Sequence, residues 1–213
     1  MSLELKNLSA AYDGYPVIRD FSLTFNMADA EGITGPNGAG KSTLMKAVMS
    51  LTPNKWGKVI LFGEDVTDLP PYELVRRGVT LIPEGRQVFT KMTVLENLEV
   101  GAYMLRPKAL LPKRLEFISE IVPFVRERQK QLAGSLSGGE QQLLVIARGL
   151  MSAPKFLLID EPFLGLSPAS IELVRQAIDA IHRSGVGLLI SEEDPSLLEG
   201  MVNQFHDISR STS

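Results

Sequence analysis

The sequence predicts an α/β fold. It has a largely parallel central sheet, an antiparallel β subdomain at its N-terminus, and a helical lobe inserted part-way along. Three observations predict it. Short, fully apolar runs at 79–82, 156–159 and 186–190 alternate with stretches of helical periodicity, as buried parallel strands alternate with helices. Near the start, residues 3–8 and 17–25 alternate apolar and polar side chains, which suits half-buried antiparallel strands. From 93 to 132 the pattern is mostly helical.

Taken in order, residues 3–8 form the first predicted strand. Asp13-Gly14 is a turn, and 17–25 is the returning strand. Residues 32–34 are a short apolar strand running into a glycine-rich loop, 35–40. A helix over 44–51 follows, stopped by Pro53-Asn54. Residues 58–62 read as a strand, Gly63-Glu64-Asp65 as a turn, and 72–77 as a short helix. Pro83 ends the buried strand 79–82. Helices over 94–104 and 115–131 are separated by Pro107 and Pro112. A helix opens at Ser137 and runs to about 151, strand 156–159 follows, and 169–183 is an amphipathic helix before strand 186–190. Residues 211–213 are expected to fray. The chain is therefore expected to be one domain, 1–213. Residues 1–92 and 133–213 form the core and β subdomain, and 93–132 the lobe.

Bulk properties exclude some functions. A net charge of -3 without a basic block argues against nucleic acid as a partner. The absence of cysteine rules out disulfides and thiolate metal sites. No basic-then-apolar leader opens the chain, and no apolar run approaches the ~20 residues that span a bilayer. Any work at a membrane must pass through something else.

Gly35-Pro36-Asn37-Gly38-Ala39-Gly40-Lys41-Ser42 matches G-x-x-x-x-G-K-[ST] without a mismatch, which makes the core a P-loop NTPase. Wrapping a polyphosphate in backbone N–H groups needs residues that tolerate unusual dihedrals and close approach. The loop ends on a helix N-terminus, which favours an anion. Lys41 can reach the β- and γ-phosphates, and the Ser42 hydroxyl can ligate Mg²⁺. The plain alternative is a glycine-rich turn between a strand and a helix.

Phe156-Leu157-Leu158-Ile159-Asp160-Glu161 is an apolar strand ending in two acids. Open α/β sheets bind ligands beyond the carboxyl ends of their strands, so the acids fall beside the phosphate loop. Asp160 is placed to hold Mg²⁺, and Glu161 to polarise an attacking water as general base. The plain alternative is a solvated acidic turn before Pro162. Leu136-Ser137-Gly138-Gly139-Glu140-Gln141-Gln142 contains a capping box, Ser137 to Glu140, ahead of helical spacing. Taken plainly it is a well-capped helix start. The two glycines also leave the helix N-terminus bare, which suits a phosphate held by a second chain.

In order and spacing, 35–42, 136–141 and 156–162 resemble the hallmark segments of ABC (ATP-binding cassette) transporter ATPases, and the resemblance runs from residue 3 to residue 194. Ile82-Pro83-Glu84-Gly85-Arg86, Met92-Thr93-Val94 with Glu96-Asn97-Leu98, and 137–142 are similar to the ATPases of branched-chain amino-acid importers. The resemblance implies an ATP-hydrolysing enzyme with ATP and Mg²⁺ as ligands. Two cassettes, alike or different, would meet head to tail. Each ATP would lie between residues 35–43, Thr43 included, on one chain and Ser137, Gly138 and Gly139 on the other. Tyr12 falls where the family stacks an aromatic ring on adenine; otherwise it is a turn-packing tyrosine. Glu84 takes the place of a glutamine linking the Mg²⁺ site to the lobe. Gly165-Leu166-Ser167-Pro168 resembles the loop that touches the partner cassette, or is simply a helix cap at Ser167.

The sequence departs from the family at Glu193, which stands where most members have a histidine on the γ-phosphate. An ionised carboxylate cannot donate a hydrogen bond, so reduced turnover is expected. His182 and His206 are poor substitutes. The resemblance further implies integral membrane permease subunits as partners, an extracytoplasmic solute-binding protein acting through them, and a location on the cytoplasmic face of the cell membrane. Phe89, Met92, Tyr103, Met104 and Leu105 are candidates for a permease-docking groove, or for core. Two other functions compete with an active importer ATPase: a cassette that binds ATP but hydrolyses it poorly, and an ABC ATPase outside transport.

Overall fold

The computed structural model describes residues 1–12, 14–105 and 107–211. The predicted turn at Asp13 and the predicted fraying of Thr212 and Ser213 fall outside the described residues. Among the described residues the strands form two sheets. Strands β1 (Ser2–Tyr12) and β2 (Tyr15–Asn26) form an antiparallel hairpin. After β3 (Ala30–Thr34) and helix α1 (Lys41–Val48), β4 (Asn54–Leu61) returns to pair with β1, and β5 (Glu64–Asp65) adds a short edge, giving the order β2-β1-β4-β5. Helix α2 (Pro71–Arg77) leads into β6 (Val79–Ile82).

The second sheet is parallel throughout. Its order is β6-β7-β8-β3-β9, with β7 at Phe156–Asp160, β8 at Gly187–Glu192 and β9 at Gln204–Asp207. Both faces are covered, which is why β7 and β8 are apolar rather than alternating until their polar carboxyl ends. Phe156 and Leu158 face α1 and the antiparallel sheet, in a core with Leu3, Phe25 and Leu44. The Phe25 and Phe156 rings meet edge to face at 5.3 Å. Leu157 and Ile159 face the other way, onto helices α6 (Gly138–Leu150) and α7 (Pro168–Arg183), packed with Leu144, Ile178 and Leu188.

The segment between β6 and α6 is helical. It contains α3 (Val94–Gly101), α4 (Leu111–Ile121) and α5 (Phe124–Glu127). Its ends meet in a single bridge, Thr93 to Leu132. A capping box between Thr93 and Glu96 starts α3. Asn97 is fully buried in that helix. Its amide accepts from the Phe89 N–H at 2.9 Å and donates to the carbonyls of Phe89 at 3.1 Å and Thr93 at 2.9 Å, so it fixes the strand-to-helix connection.

The structure corrects three predicted elements and adds a strand that the sequence reading did not mark. β4 begins at Asn54 rather than 58, because Asn54, Lys55 and Trp56 are bridged to Ala11, Ala10 and Ser9 of β1. The predicted helix 115–131 is two helices, α4 starting earlier on Pro112 in its first turn and breaking at Val122, ahead of Pro123. The predicted helix 94–104 stops at Gly101. His206 lies in strand β9, where its ring meets the Glu31 carboxylate at 2.7 Å.

Candidate functional site

Parallel pairing sets Thr34 beside Glu192 and Asp160 beside Ser191. The carboxyl ends of β3, β7 and β8 therefore meet at one edge, and the loop 35–40 leaves from it. Gly40 has φ 98°, the left-handed conformation, as the last residue before α1. A side chain there would also collide with Ile18 of β2. Glycine is required on both counts.

The charges at this edge are paired. The Lys41 ammonium, 3% exposed, donates to the carbonyls of Gly35 at 2.8 Å and Pro36 at 3.3 Å. It also forms an ion pair with Glu161 at 3.1 Å. Glu161 is buried and has φ 45°, a strained conformation for a residue with a side chain. Two hydrogen bonds hold it there: its N–H donates to the Ser191 hydroxyl at 3.1 Å and the Ser191 carbonyl at 3.2 Å. The same hydroxyl donates to Asp160 at 2.6 Å. Ser191 thus fixes both acids, a role the sequence reading did not assign to it.

Lys41, Ser42, Thr43, Asn37, Gly38, Gly40, Val17, Glu84 and Glu161 line one cleft of about 160 Å³. Whole small-molecule sites run to roughly 300–1,000 Å³, so this volume suits a polyphosphate end rather than an entire nucleotide. Asp160 lies just behind, 2% exposed. Gly35, Pro36 and Ala39 complete the loop. Tyr12 does not line the cleft; it ends β1 half-buried, opposite Tyr15. The β subdomain contributes Val17 instead.

The second predicted anion site is the start of α6. Ser137 caps it by accepting from the Glu140 N–H at 3.3 Å, and Glu140 accepts from the Ser137 N–H at 2.8 Å. Ser137 is exposed and Gly138 half-exposed, while Gly139 is buried against Ser170. The Arg86 guanidinium lies against Gly138, where a side chain would strike it, and also approaches Gly165. Sequence reasoning assigned Arg86 no contact of its own. Ser137 and Lys41 are not gathered into one cleft within the chain.

The family profile described as ABC transporter matches residues 18–164, from β2 through the acids to the loop after them. The chain is an ABC transporter ATPase subunit. It is 36% identical over 192 residues, 90% of this chain and 82% of the relative, to the high-affinity branched-chain amino acid transport ATP-binding protein BraG of Pseudomonas aeruginosa. It is 34% identical over 195 residues, covering 91% and 80%, to the lipopolysaccharide export system ATP-binding protein LptB of Escherichia coli. Among solved structures, a nucleotide-free ATP-binding cassette from an ABC transporter superposes with a TM-score of 0.83 at 25% identity, covering 97% of this chain and 87% of that one. The ADP conformation of another such cassette gives 0.82 at 26%, with the same coverage.

Like its family, this ABC ATPase hydrolyses ATP. Among its described residues no helix is long and apolar enough to cross a membrane. Also among them, no three acidic or histidine side chains gather to hold a metal. Where Mg²⁺ is bound chiefly by phosphate and water, one or two protein oxygens are enough. Ser42 and Glu84, which line the cleft, and Asp160 behind it offer such oxygens.

Glu192 is a buried acid the sequence reading left out. It accepts from the Phe163 N–H at 3.0 Å. Burial pushes its carboxyl up from the usual 4.5 to about 7; the Phe163 N–H opposes this and the Glu161 charge adds to it. Below 4.5 both folded and unfolded cassettes are protonated there. Between 4.5 and 7 only the folded state keeps the proton, so this residue's stabilising contribution is lost as pH rises through that window. Glu192→Gln is therefore expected to equal wild type near pH 4.5 and to exceed it by up to about 3 kcal/mol at pH 8. Urea denaturation at the two pH values measures this. An advantage that does not grow with pH would refute it.

Proposed function

We propose that this ABC ATPase energises import of a small solute, branched-chain amino acids in particular, by closing with a second cassette on ATP. The single observation carrying the reading is the cleft that brings Lys41, Ser42, Glu84 and Glu161 together, with Asp160 behind. Lys41 binds the β- and γ-phosphates, residues 35–43 wrap them, and Glu161 takes the proton of the attacking water. Ser42 and Asp160 would hold Mg²⁺, which when bound neutralises phosphate charge; Glu84 serves that site as well. Tyr12, at the end of β1 and outside this cleft, would supply the ring that stacks on adenine. Ser137, Gly138 and Gly139 face the partner cassette's ATP, so ATP favours the closed pair by touching both chains.

The lobe, 93–132, and the core share a groove that suits a permease helix. Phe89, Val100, Gly101, Val145 and Arg148 line it, with a volume of about 260 Å³. Phe89 is 47% and Val100 42% exposed. Of the other predicted docking residues, Leu105 is core, Met92 and Met104 are half-buried, and Tyr103 lines a separate hollow with Lys108. The reading places the chain at the cytoplasmic face of the membrane through those permeases, with a solute-binding protein acting indirectly.

Support for import comes from the likeness to the branched-chain transport relative and from the segments 82–86 and 92–98. The lipopolysaccharide export relative is about as similar, so the discriminating test is transport. Cells lacking this gene should lose uptake of radiolabelled leucine and regain it with the wild-type gene, but not with Glu161→Gln. Normal leucine uptake in the deleted cells would overturn the assignment. One observation favours a slowly hydrolysing, regulatory cassette as the second reading: Glu193 stands on the phosphate loop itself.

A further inference from the structure

We propose that Glu193 competes with the third phosphate of ATP for the Asn37 corner of the phosphate loop, and so sets how strongly this cassette prefers ATP to ADP. The inference rests on the proposed function.

Residue 193 follows β8 directly, and the pairing of Thr34 with Glu192 brings it beside the loop that starts at Gly35. There the Asn37 side-chain amide donates to Glu193 Oε2 at 2.8 Å, across 156 positions of sequence. Both residues are exposed, so neither is there to fill a core. Asn37 adjoins Pro36, whose carbonyl holds the Lys41 ammonium. In this motif that ammonium reaches the β- and γ-phosphates, so Asn37 borders the outer end of the polyphosphate.

Two of the chain's own carboxylates thus sit on two donors of the cradle: Glu161 on Lys41 and Glu193 on Asn37. Their consequences differ. An ionised carboxylate accepts and cannot donate, so Glu193 has no favourable contact to offer a phosphate oxygen. With one Asn37 N–H taken by Glu193, only the other is left for a phosphate oxygen. If Glu193 and the phosphate both stay, two negative charges lie within a few ångströms where water is partly displaced. ADP, ending at the β-phosphate, does not extend to that corner. Binding ATP therefore favours release of Glu193. Glutamine would keep the Asn37 contact through its carbonyl and turn an amide toward the phosphate.

The test is equilibrium binding, by calorimetry with Mg²⁺, of ADP and of the β,γ-imido analogue of ATP. It compares wild type, Glu193→Gln and Glu193→Ala; the exposed site leaves folding intact, as thermal melts will verify. Removing the charge is expected to tighten the triphosphate about tenfold and ADP less than about twofold, in both variants. Alanine matters because it removes the charge without adding a donor. Equal shifts for the two nucleotides, or none, would overturn the inference while leaving the nucleotide site intact. If wild type bound neither, the proposed function itself would fall, and this inference with it.

Discussion

Replacing Glu161 with glutamine is expected to reduce steady-state ATP turnover at least about a hundredfold, the scale of a lost general base. ATP binding and an ATP-dependent cassette dimer should survive. The geometry motivates the split. Glu161 is held at the cleft wall in a strained backbone conformation by two hydrogen bonds from its N–H to Ser191. Glutamine keeps the backbone and the shape, but it loses the capacity to take a proton and the charge that pairs with Lys41. Phosphate release and mass measurements on the same sample separate the two effects. Undiminished turnover would remove Glu161 from the chemistry.

Lys41→Ala has a double effect. ATP affinity should fall by ten- to a hundredfold, the usual range for losing a charge-assisted contact. The variant should also be less stable without any nucleotide added. Lys41 and Glu161 have side chains only 3% and 9% exposed, so removing the ammonium strands a buried carboxylate. Breaking one side of such a pair costs about 3–5 kcal/mol. Removing both is far milder, so Lys41→Ala combined with Glu161→Gln should recover much of the lost stability while still failing to bind ATP. Fluorescent-nucleotide titration and thermal melts report the two quantities. Native ATP affinity in Lys41→Ala would refute the phosphate role. A double variant no more stable than the single would refute the pairing argument.

What could be seen in the sequence follows from how strictly each feature constrains its residues. The phosphate loop was legible because wrapping an anion needs glycine at fixed places, Gly40 most plainly. Strands β7 and β8 were legible because a strand covered on both faces must be apolar throughout. β9 was not. It is an edge strand whose Phe205 covers Gly32, and Gln204, His206 and Asp207 give no alternation to detect. The start of β4 was hidden because Pro53-Asn54 marks a helix stop and a strand start at once. The position of Glu193 was legible by resemblance, but not its contact with Asn37, since pairs so far apart in sequence are made by the register of β3 and β8. Asn97 left only a faint trace, a poor helix former early in a well-capped helix.

The lashing of residues 84–97 limits how the molecule can be recombined. Gln87 donates to the Glu84 carbonyl at 3.1 Å, Arg148 of α6 donates to the Gln87 carbonyl at 2.6 Å, and Asn97 of α3 clasps Phe89. A chimera that grafted a relative's lobe between 93 and 132 would keep Arg148 and Gln87 from one parent and take Asn97 from the other. To re-target such a motor to a foreign channel, the strap, the α3 asparagine and the α6 arginine would have to be transplanted as one cartridge.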